Sequence, residues 1–243
     1  MSPEGDGPAQ YRRVLVKLSG EALGGAAGFG LDPSMLSFVT SQLQAARQLG
    51  VEIAIVVGGG NFLRGAQLSA IGFDRVMGDR MGMLATVLNA ISLSTTFSAS
   101  GLAARAFSAV EVRGVIDLYR REAAAAALET GEVVVLAGGT GNPFFSTDSA
   151  AALRAAELGA DALLKATKVD GVYDRDPVAD PSAHRYDTLT YQQVVEQSLG
   201  VMDLTAVTLC KENAIPIVVF DMNRDGALVQ VLRGEPVGTT IGE

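Results

Sequence analysis

The sequence predicts an α/β fold, a three-layer α/β/α sandwich with a central, mainly parallel sheet. Three observations predict it. Short β-branched runs alternate along the chain with Ala/Leu-rich stretches of helical length, the pattern of parallel strands joined by helical crossovers. Two of the apolar runs end in glycine clusters, Gly58-Gly59-Gly60 and Gly138-Gly139-Thr140-Gly141, and the carboxyl ends of such strands are where an open α/β sheet holds its ligands. Finally, 48% of the 243 residues are apolar, enough to fill a sizeable core.

Residues 1–10 are rich in Gly and Pro and carry Glu4 and Asp6. They read as a flexible tail, since a signal peptide needs a basic region and an apolar stretch. Val14 to Leu18 is the first strand. Asp32-Pro33 caps a helix that runs to about Leu49, with Gly50 just past its end. Val51 to Val57 follows as a buried strand, ending in Gly58-Gly59-Gly60-Asn61. The next helix is expected from about Asp79 to Ser98. It overlaps the uncharged stretch Met81 to Ala104, whose apolar character is broken by Thr86, Asn89, Ser92 and Ser94, among others. A buried helix of a globular protein fits this better than a membrane span.

A short strand near Ala103 to Phe107 and a helix near Leu118 to Leu128 lead to the strand Val133 to Leu136. A helix from about Asp148 to Glu157 then enters the strand Ala162 to Lys165. The aspartate-rich stretch Asp170 to Pro181 is turn-forming. Helices near Tyr191 to Gln197 and Leu204 to Asn213, a strand Ile215 to Phe220 and a helix Gly226 to Leu232 complete the expected elements. No linker or low-complexity run divides them, so residues 11–243 read as a single domain.

Composition excludes several functions. Lys and Arg number 19 against 27 Asp and Glu, a net charge of −8 and a pI near 4.7, which repels nucleic acid and anionic membranes. An anion must therefore be held by a local site. One cysteine, Cys210, and one histidine, His184, leave no internal disulfide and no structural zinc set, which fits a reducing, cytoplasmic location.

The strand ends carry the chemistry. A glycine loop lets backbone N–H groups approach an oxyanion, and the positive end of the following helix adds attraction; ordinary strand-to-helix turning is the plainer reading of one such loop. Two of them suggest two phosphate-bearing ligands. Neither matches the P-loop or dinucleotide fingerprint. Instead Lys17 precedes Ser19-Gly20-Glu21, and Lys165 precedes Thr167-Lys168. A lysine in an apolar strand costs desolvation unless it meets an anion or snorkels to water. Ser146-Thr147-Asp148-Ser149 reads as a helix cap, and its Asp148 is also placed to orient both lysines or a metal. Asp79 reads as a helix cap or a ligand group, and Asp170, Asp174 and Asp176 as turn formers or nucleotide contacts.

Taken together, Lys17-Leu18-Ser19-Gly20-Glu21, Gly58-Gly59-Gly60-Asn61, Gly78-Asp79-Arg80-Met81-Gly82-Met83, the run from Gly139 to Asp148, the run from Lys165 to Tyr173, and Val201-Met202-Asp203-Leu204 resemble the bacterial uridylate kinases of the amino acid kinase superfamily. The likeness runs in order from about Tyr11 to Ile241, and the Gly-Asn-Pro-Phe-Phe stretch is its most specific part. It implies an amino acid kinase-like fold, transfer of the ATP γ-phosphoryl group to UMP with Mg²⁺ carried by ATP rather than by direct protein ligands, and a homohexamer.

By position, the likeness implies catalytic roles for Lys17, Lys165 and Asp148. It makes Lys17, Leu18, Ser19, Gly20, Gly60, Arg64, Thr167, Tyr173 and Asp176 ATP-site residues. Gly59, Asp79, Thr140, Gly141, Asn142, Pro143, Phe144, Phe145, Ser146 and Thr147 form the UMP site. A GTP effector loop is implied at Gly25, Ala26, Ala27, Gly28, Phe29 and Gly30, with Arg105. Ser94 and Ser98 stand where cationic side chains are expected, so GTP activation is expected to be weak or absent while UTP inhibits. Two other readings keep the same fold: a nucleotide-binding sensor without turnover, which retention of both lysines and Asp148 argues against, and a sister kinase differing at Thr140 to Thr147.

Overall fold

The computed structural model describes residues 8–63, 72–177, 179–180 and 182–243. β1 (Arg13–Leu18) leads through the short α1 (Gly20–Leu23) and α2 (Pro33–Arg47) to β2 (Glu52–Val57). α3 (Arg75–Ala99) crosses to β3 (Ala104–Ser108) and the two-residue β4 (Asp117–Leu118), and α4 (Arg121–Glu129) returns to β5 (Val133–Ala137). After α5 (Thr147–Leu158) come β6 (Ala162–Thr167), β7 (Val172–Tyr173), β8 (Arg185–Tyr186) and β9 (Thr188–Thr190). α6 (Tyr191–Glu196), α7 (Leu204–Glu212), β10 (Ile217–Asp221), α8 (Ala227–Leu232) and β11 (Thr239–Gly242) end the described fold.

Among the described residues the main sheet has nine strands in the order β4-β3-β5-β2-β1-β6-β10-β11-β9. All neighbours in it are parallel except β10 and β11. β1 sits in the middle with all six residues buried, the near-continuous burial expected of a strand covered on both faces. Val14, Val16 and Leu18 meet α2, α3 and α8 on one face. Leu15 and Leu163 meet the α4 to α7 layer on the other. Because β1, β2, β5 and β6 are parallel neighbours, their carboxyl ends, with both glycine loops, emerge at one edge.

The expected elements are present, with shifted ends. The long helix begins at Arg75, one turn before Asp79, because Asp74 caps it by accepting from Met77 N at 3.3 Å. Asp79 is therefore not its cap. This helix is apolar and long enough to cross a membrane by composition alone, yet Val87, Ala90, Leu93 and Phe97 are buried in the sheet-facing core. The helix expected from Leu118 starts at Arg121, since Asp117–Leu118 pairs with β3 as an edge strand. The turn-forming stretch after Asp170 contains β7, paired antiparallel with β8. β9 and β11 were not expected; each is too short to carry a periodic signal, and β11 is set by the burial of Ile241 against β10. Residues 1–7 of the expected tail lie outside the described residues, whereas Gln10 N already donates to Leu232 O at 2.8 Å.

Candidate active site

Lys17 and Lys165 lie directly opposite each other in the β1/β6 register, so their side chains leave the same face of the sheet. Packing drives this placement, since each lysine continues the face begun by Leu15 and Leu163. α5 runs over that face, and its first turn presents Asp148. Lys17 Nζ stands 2.8 Å from Asp148 Oδ1, and Lys165 Nζ stands 2.8 Å from Asp148 Oδ2. All three side chains are largely buried.

Burial pushes the Asp148 carboxyl upward, but the two ammonium groups outweigh it and hold it below the usual carboxylate range. Burial pushes Lys165 below the usual lysine range, against the opposing pull of Asp148 and with Lys17 adding to the fall. The group thus carries two cations on one anion, a net positive centre in a partly desolvated place.

Two clefts flank this centre. The larger, about 590 Å³, contains Lys165, Thr167, Tyr173, Asp174 and Asp176. The smaller, about 150 Å³, is bounded by Gly59, Gly60, Asp79, Thr140, Phe145 and Thr147. Of the residues expected at the ATP site, Thr167, Tyr173 and Asp176 fall in the larger cleft, whereas Gly60 lines the smaller one. Leu18 is buried in the core, so only its backbone faces the site edge. Arg64 lies outside the described residues. Ser19 caps α1, its Oγ accepting from Ala22 N at 3.2 Å. Thr167 Oγ1 donates to Val169 O at 2.6 Å, and Tyr173 OH to Asp170 Oδ1 at 2.6 Å.

The glycine loops depend on close backbone approach. A Cβ on Gly20 would lie 2.7 Å from both Gly58 O and Gly60 N, and one on Gly59 would lie 2.8 Å from Gly82 O in α3. Side chains at these positions would force the loop and helix apart. Gly58, in turn, donates its N–H to Leu18 O at 2.9 Å.

On the smaller cleft, Asp79 accepts from Phe144 N at 2.7 Å and from Arg75 Nε at 2.9 Å. Arg75 also stacks over the Phe144 ring at 5.5 Å. Phe144 adopts a positive φ of 71°, a strained conformation for an aromatic residue that this pinning sustains. Asn142 N donates to Thr140 Oγ1 at 3.2 Å within the same loop. Thr147 borders this cleft from the first turn of α5.

Gly25–Ala27 forms a 3₁₀ turn, Phe29 is exposed and edge-on to Phe62, and Gly30 exchanges hydrogen bonds with Asn61. The loop expected to take an effector is thus tied to the end of the first glycine loop. Several supports escaped the sequence reading of function. Thr86 Oγ1 accepts from Gly138 N at 2.7 Å, Asn89 Nδ2 donates to Gly58 O at 2.7 Å, and Asp203 accepts from Ser149 Oγ at 2.8 Å. The i, i+3 spacing of Thr86 and Asn89 within an apolar stretch was the available signal.

Comparison with known proteins gives a consistent result. The model of the amino acid kinase family matches residues 12–221. The uridylate kinase of Alcanivorax borkumensis is 51% identical over 232 residues, covering 96% of this chain and 92% of that protein. That of Pseudomonas syringae pv. tomato is 50% identical over 244 residues, covering 100% and 99%. The crystal structure of UMP kinase from Bacillus anthracis superposes with a TM-score of 0.93 at 36% identity over 96% of each chain. UMP kinase from Ureaplasma parvum gives 0.90 at 33% identity, covering 96% of this chain and 99% of the other.

Proposed function

The chain belongs to the amino acid kinase family, among its uridylate kinases, and from that premise we propose how its residues divide the work of phosphorylating UMP. The enzyme is a nucleoside monophosphate kinase that transfers the γ-phosphoryl group of ATP to UMP, yielding UDP and ADP for pyrimidine nucleotide synthesis. The observation that carries the division is the Lys17–Asp148–Lys165 group between two clefts of unequal size. We assign ATP to the larger cleft and UMP to the smaller, so that the γ-phosphoryl group meets the UMP phosphate beside both lysines.

The acceptor oxygen needs no protein base. A phosphate monoester has its second pKa near ~6 and is largely ionised at pH 7. What transfer needs is alignment and positive charge on the moving phosphoryl group and its leaving oxygens. Lys17 and Lys165 supply the charge. Asp148 sets their positions and limits their mutual repulsion. N–H groups of Gly59, Gly60 and Gly139 offer further donors, those of Gly58 and Gly138 being spent on Leu18 O and Thr86 Oγ1.

Both Asp148 oxygens are engaged by ammonium groups, an arrangement suited to Mg²⁺ that arrives on the ATP phosphates. Mg²⁺ brought in with ATP would supply charge neutralisation on the phosphates, while Lys17 and Lys165, held by Asp148, would supply the protein's own share. On the acceptor side, Asp79 faces the ribose hydroxyls and the Asn142 to Phe145 backbone faces the uracil edge. A buried partner left unpaired costs about 1–3 kcal/mol, so CMP and dUMP are poor acceptors. Initial rates with UMP, CMP, dUMP and amino acids, coupled to ADP release, test this: comparable kcat/KM for UMP and CMP overturns the assignment of the smaller cleft.

We further propose a cytoplasmic homohexamer in which residues 11–243 act as one domain, with UTP competing at the UMP site and GTP activation weak. The buried free thiol of Cys210 suits a reducing compartment. Exposed Leu84, Leu88 and Val115, around an apolar hollow of about 330 Å³, offer one face for subunit contact. Light scattering on the eluting protein checks this against six times 25.2 kDa.

A further inference from the structure

Asp203 caps α7, its Oδ1 accepting from Ala206 N at 2.9 Å. Its carboxylate also reaches across to α5, accepting from Ser149 Oγ at 2.8 Å on Oδ1 and from Ser146 Oγ on Oδ2. Ser146 is the cap of α5, and its Oγ accepts from Asp148 N at 2.9 Å and Ser149 N at 3.1 Å. Two backbone donors occupy both lone pairs of that hydroxyl, so its one proton has a single direction left, toward Asp203. Two residues upstream in the same turn, Val201 O accepts from Lys165 Nζ. Residues 201 and 203 therefore hold Lys165 and the start of α5 at once.

We propose that Asp203 is a positioning residue for phosphoryl transfer: by orienting the Ser146 hydroxyl that caps α5, it sets where the Asp148 carboxylate stands and hence where both lysine ammonium groups meet the phosphates. It rests on the reading of Lys17, Asp148 and Lys165 as the transfer site. Capping α7 alone does not call for this residue, because serine caps a helix about as well as aspartate. Serine is too short to accept across the gap from both α5 hydroxyls. Asparagine is long enough, but it turns an N–H₂ toward a Ser146 oxygen whose lone pairs are already used.

The test compares Asp203→Ser, Asp203→Asn and Ser149→Ala with wild type, in steady-state kinetics and thermal unfolding. Asp203→Ser retains the α7 cap, so its Tm should stay within a few degrees. Its kcat should fall at least about tenfold, as expected when a charged group is misplaced by a fraction of an ångström, while KM for ATP and UMP changes less than about threefold. Asp203→Asn, which keeps the α7 cap through its amide oxygen, should lose kcat similarly and serves if the serine variant does not fold. Ser149→Ala removes one of the cross-helix contacts; it should lower kcat by a smaller factor and add nothing in the Asp203→Ser background. A kcat within twofold of wild type in the folded Asp203 variants overturns the proposal. So does a loss that merely tracks a fall in Tm, or a Ser149→Ala factor that multiplies independently in the double variant. Asp148→Asn is the control: if it keeps the wild-type rate, the transfer-site reading itself fails. If it is slow while Asp203→Ser is not, only the positioning role fails.

Discussion

Asn61 and Asn89 exchange hydrogen bonds in both directions, at 2.9 and 2.7 Å, with both side chains fully buried. The remaining amide capacity is spent on backbone: Asn89 Nδ2 on Gly58 O at 2.7 Å, and Asn61 Nδ2 on Gly30 O at 2.6 Å. One amide pair thus ties the long helix, the first glycine loop and the Gly24 to Gly30 loop together. Asn89→Ala leaves the Gly58 carbonyl and the Asn61 amide without this partner in a dry place, costing about 1–3 kcal/mol for each group. For a chain of this length each kcal/mol lowers Tm by about 2–4 °C. Calorimetry should show that drop together with reduced kcat, and an unchanged Tm would mean that water or a neighbour replaces the amide freely.

Gly20→Ala tests the loop from the other side. The added methyl would stand 2.6 Å from Asn61 Oδ1 and 2.7 Å from two backbone atoms of the glycine loop, so the strand-end turn must move. The expected result is a folded enzyme with sharply weaker nucleotide binding, read by isothermal titration with a non-hydrolysable ATP analogue. Wild-type affinity would show that the turn opens without cost and that its tight packing is not used in binding.

Lys17→Ala should leave the fold intact and lower turnover by roughly 10²–10³, the usual loss for one preorganised electrostatic donor. Lys17 is held 2.8 Å from Asp148 and is opposed by Lys165 in register, so no nearby cation can take its place without displacing the other. A variant retaining most of the wild-type rate with UMP would remove Lys17 from the transfer step.

The pH dependence follows from two shifts of opposite consequence. Asp148 titrates below its usual 3.8 in the folded protein. It therefore contributes stability that is present above 3.8 and lost as pH falls through the lower folded value. Lys165 titrates below its usual 10.5, so its charged form costs stability at neutral pH, and the cost is relieved as pH rises through the folded value. For turnover at the proposed transfer site, the acid limb should belong to the UMP phosphate near ~6 and the alkaline limb to Lys165, whose pKa is lowered from 10.5. Asp148→Asn removes the main group that raises Lys165 and should move the alkaline limb to lower pH while leaving the acid limb in place. A pH–kcat profile in which the acid limb moves instead would assign that limb to Asp148.

How much of this was legible in the sequence depends on the scale at which each residue acts. Lys17, Lys165, Asp148 and the glycine clusters announce themselves because a charge in an apolar strand, or three glycines at its end, conflicts with ordinary packing. Thr86 and Asn89 looked like interruptions of an apolar helix, and their use appears only when that helix crosses both glycine loops. Asp79 reads from the sequence as a cap or a ligand group, and the cap reading fails because a helix start is marked only by local chemistry, which Asp74 supplies equally well five residues earlier. β11 and β9 escaped because short strands are created by pairing with distant partners rather than by their own periodicity.

GTP titration decides the last expectation, the weakness of an effector. Ser94 borders a surface hollow of about 440 Å³ with Thr95, Gly114 and Asp117, and among the described residues lining it none is cationic. Ser94 Oγ already donates to Ile91 O at 3.2 Å, and a hydroxyl cannot neutralise a triphosphate in any case. Arg105, the cation expected to help hold the effector, does not line this hollow and is engaged by Glu132 at 3.0 Å, so recruiting it means breaking that pair. Replacing two charge-assisted contacts with serine hydroxyls forfeits about 1.5–3 kcal/mol each, and 1.4 kcal/mol is already tenfold in affinity. Initial rates at fixed ATP and UMP, with GTP raised to millimolar levels, should therefore stay nearly flat. Cations introduced by Ser94→Arg and Ser98→Arg should raise the response to GTP. Strong activation of the wild-type enzyme at micromolar GTP would show that other residues build the site and that Ser94 and Ser98 do not control it.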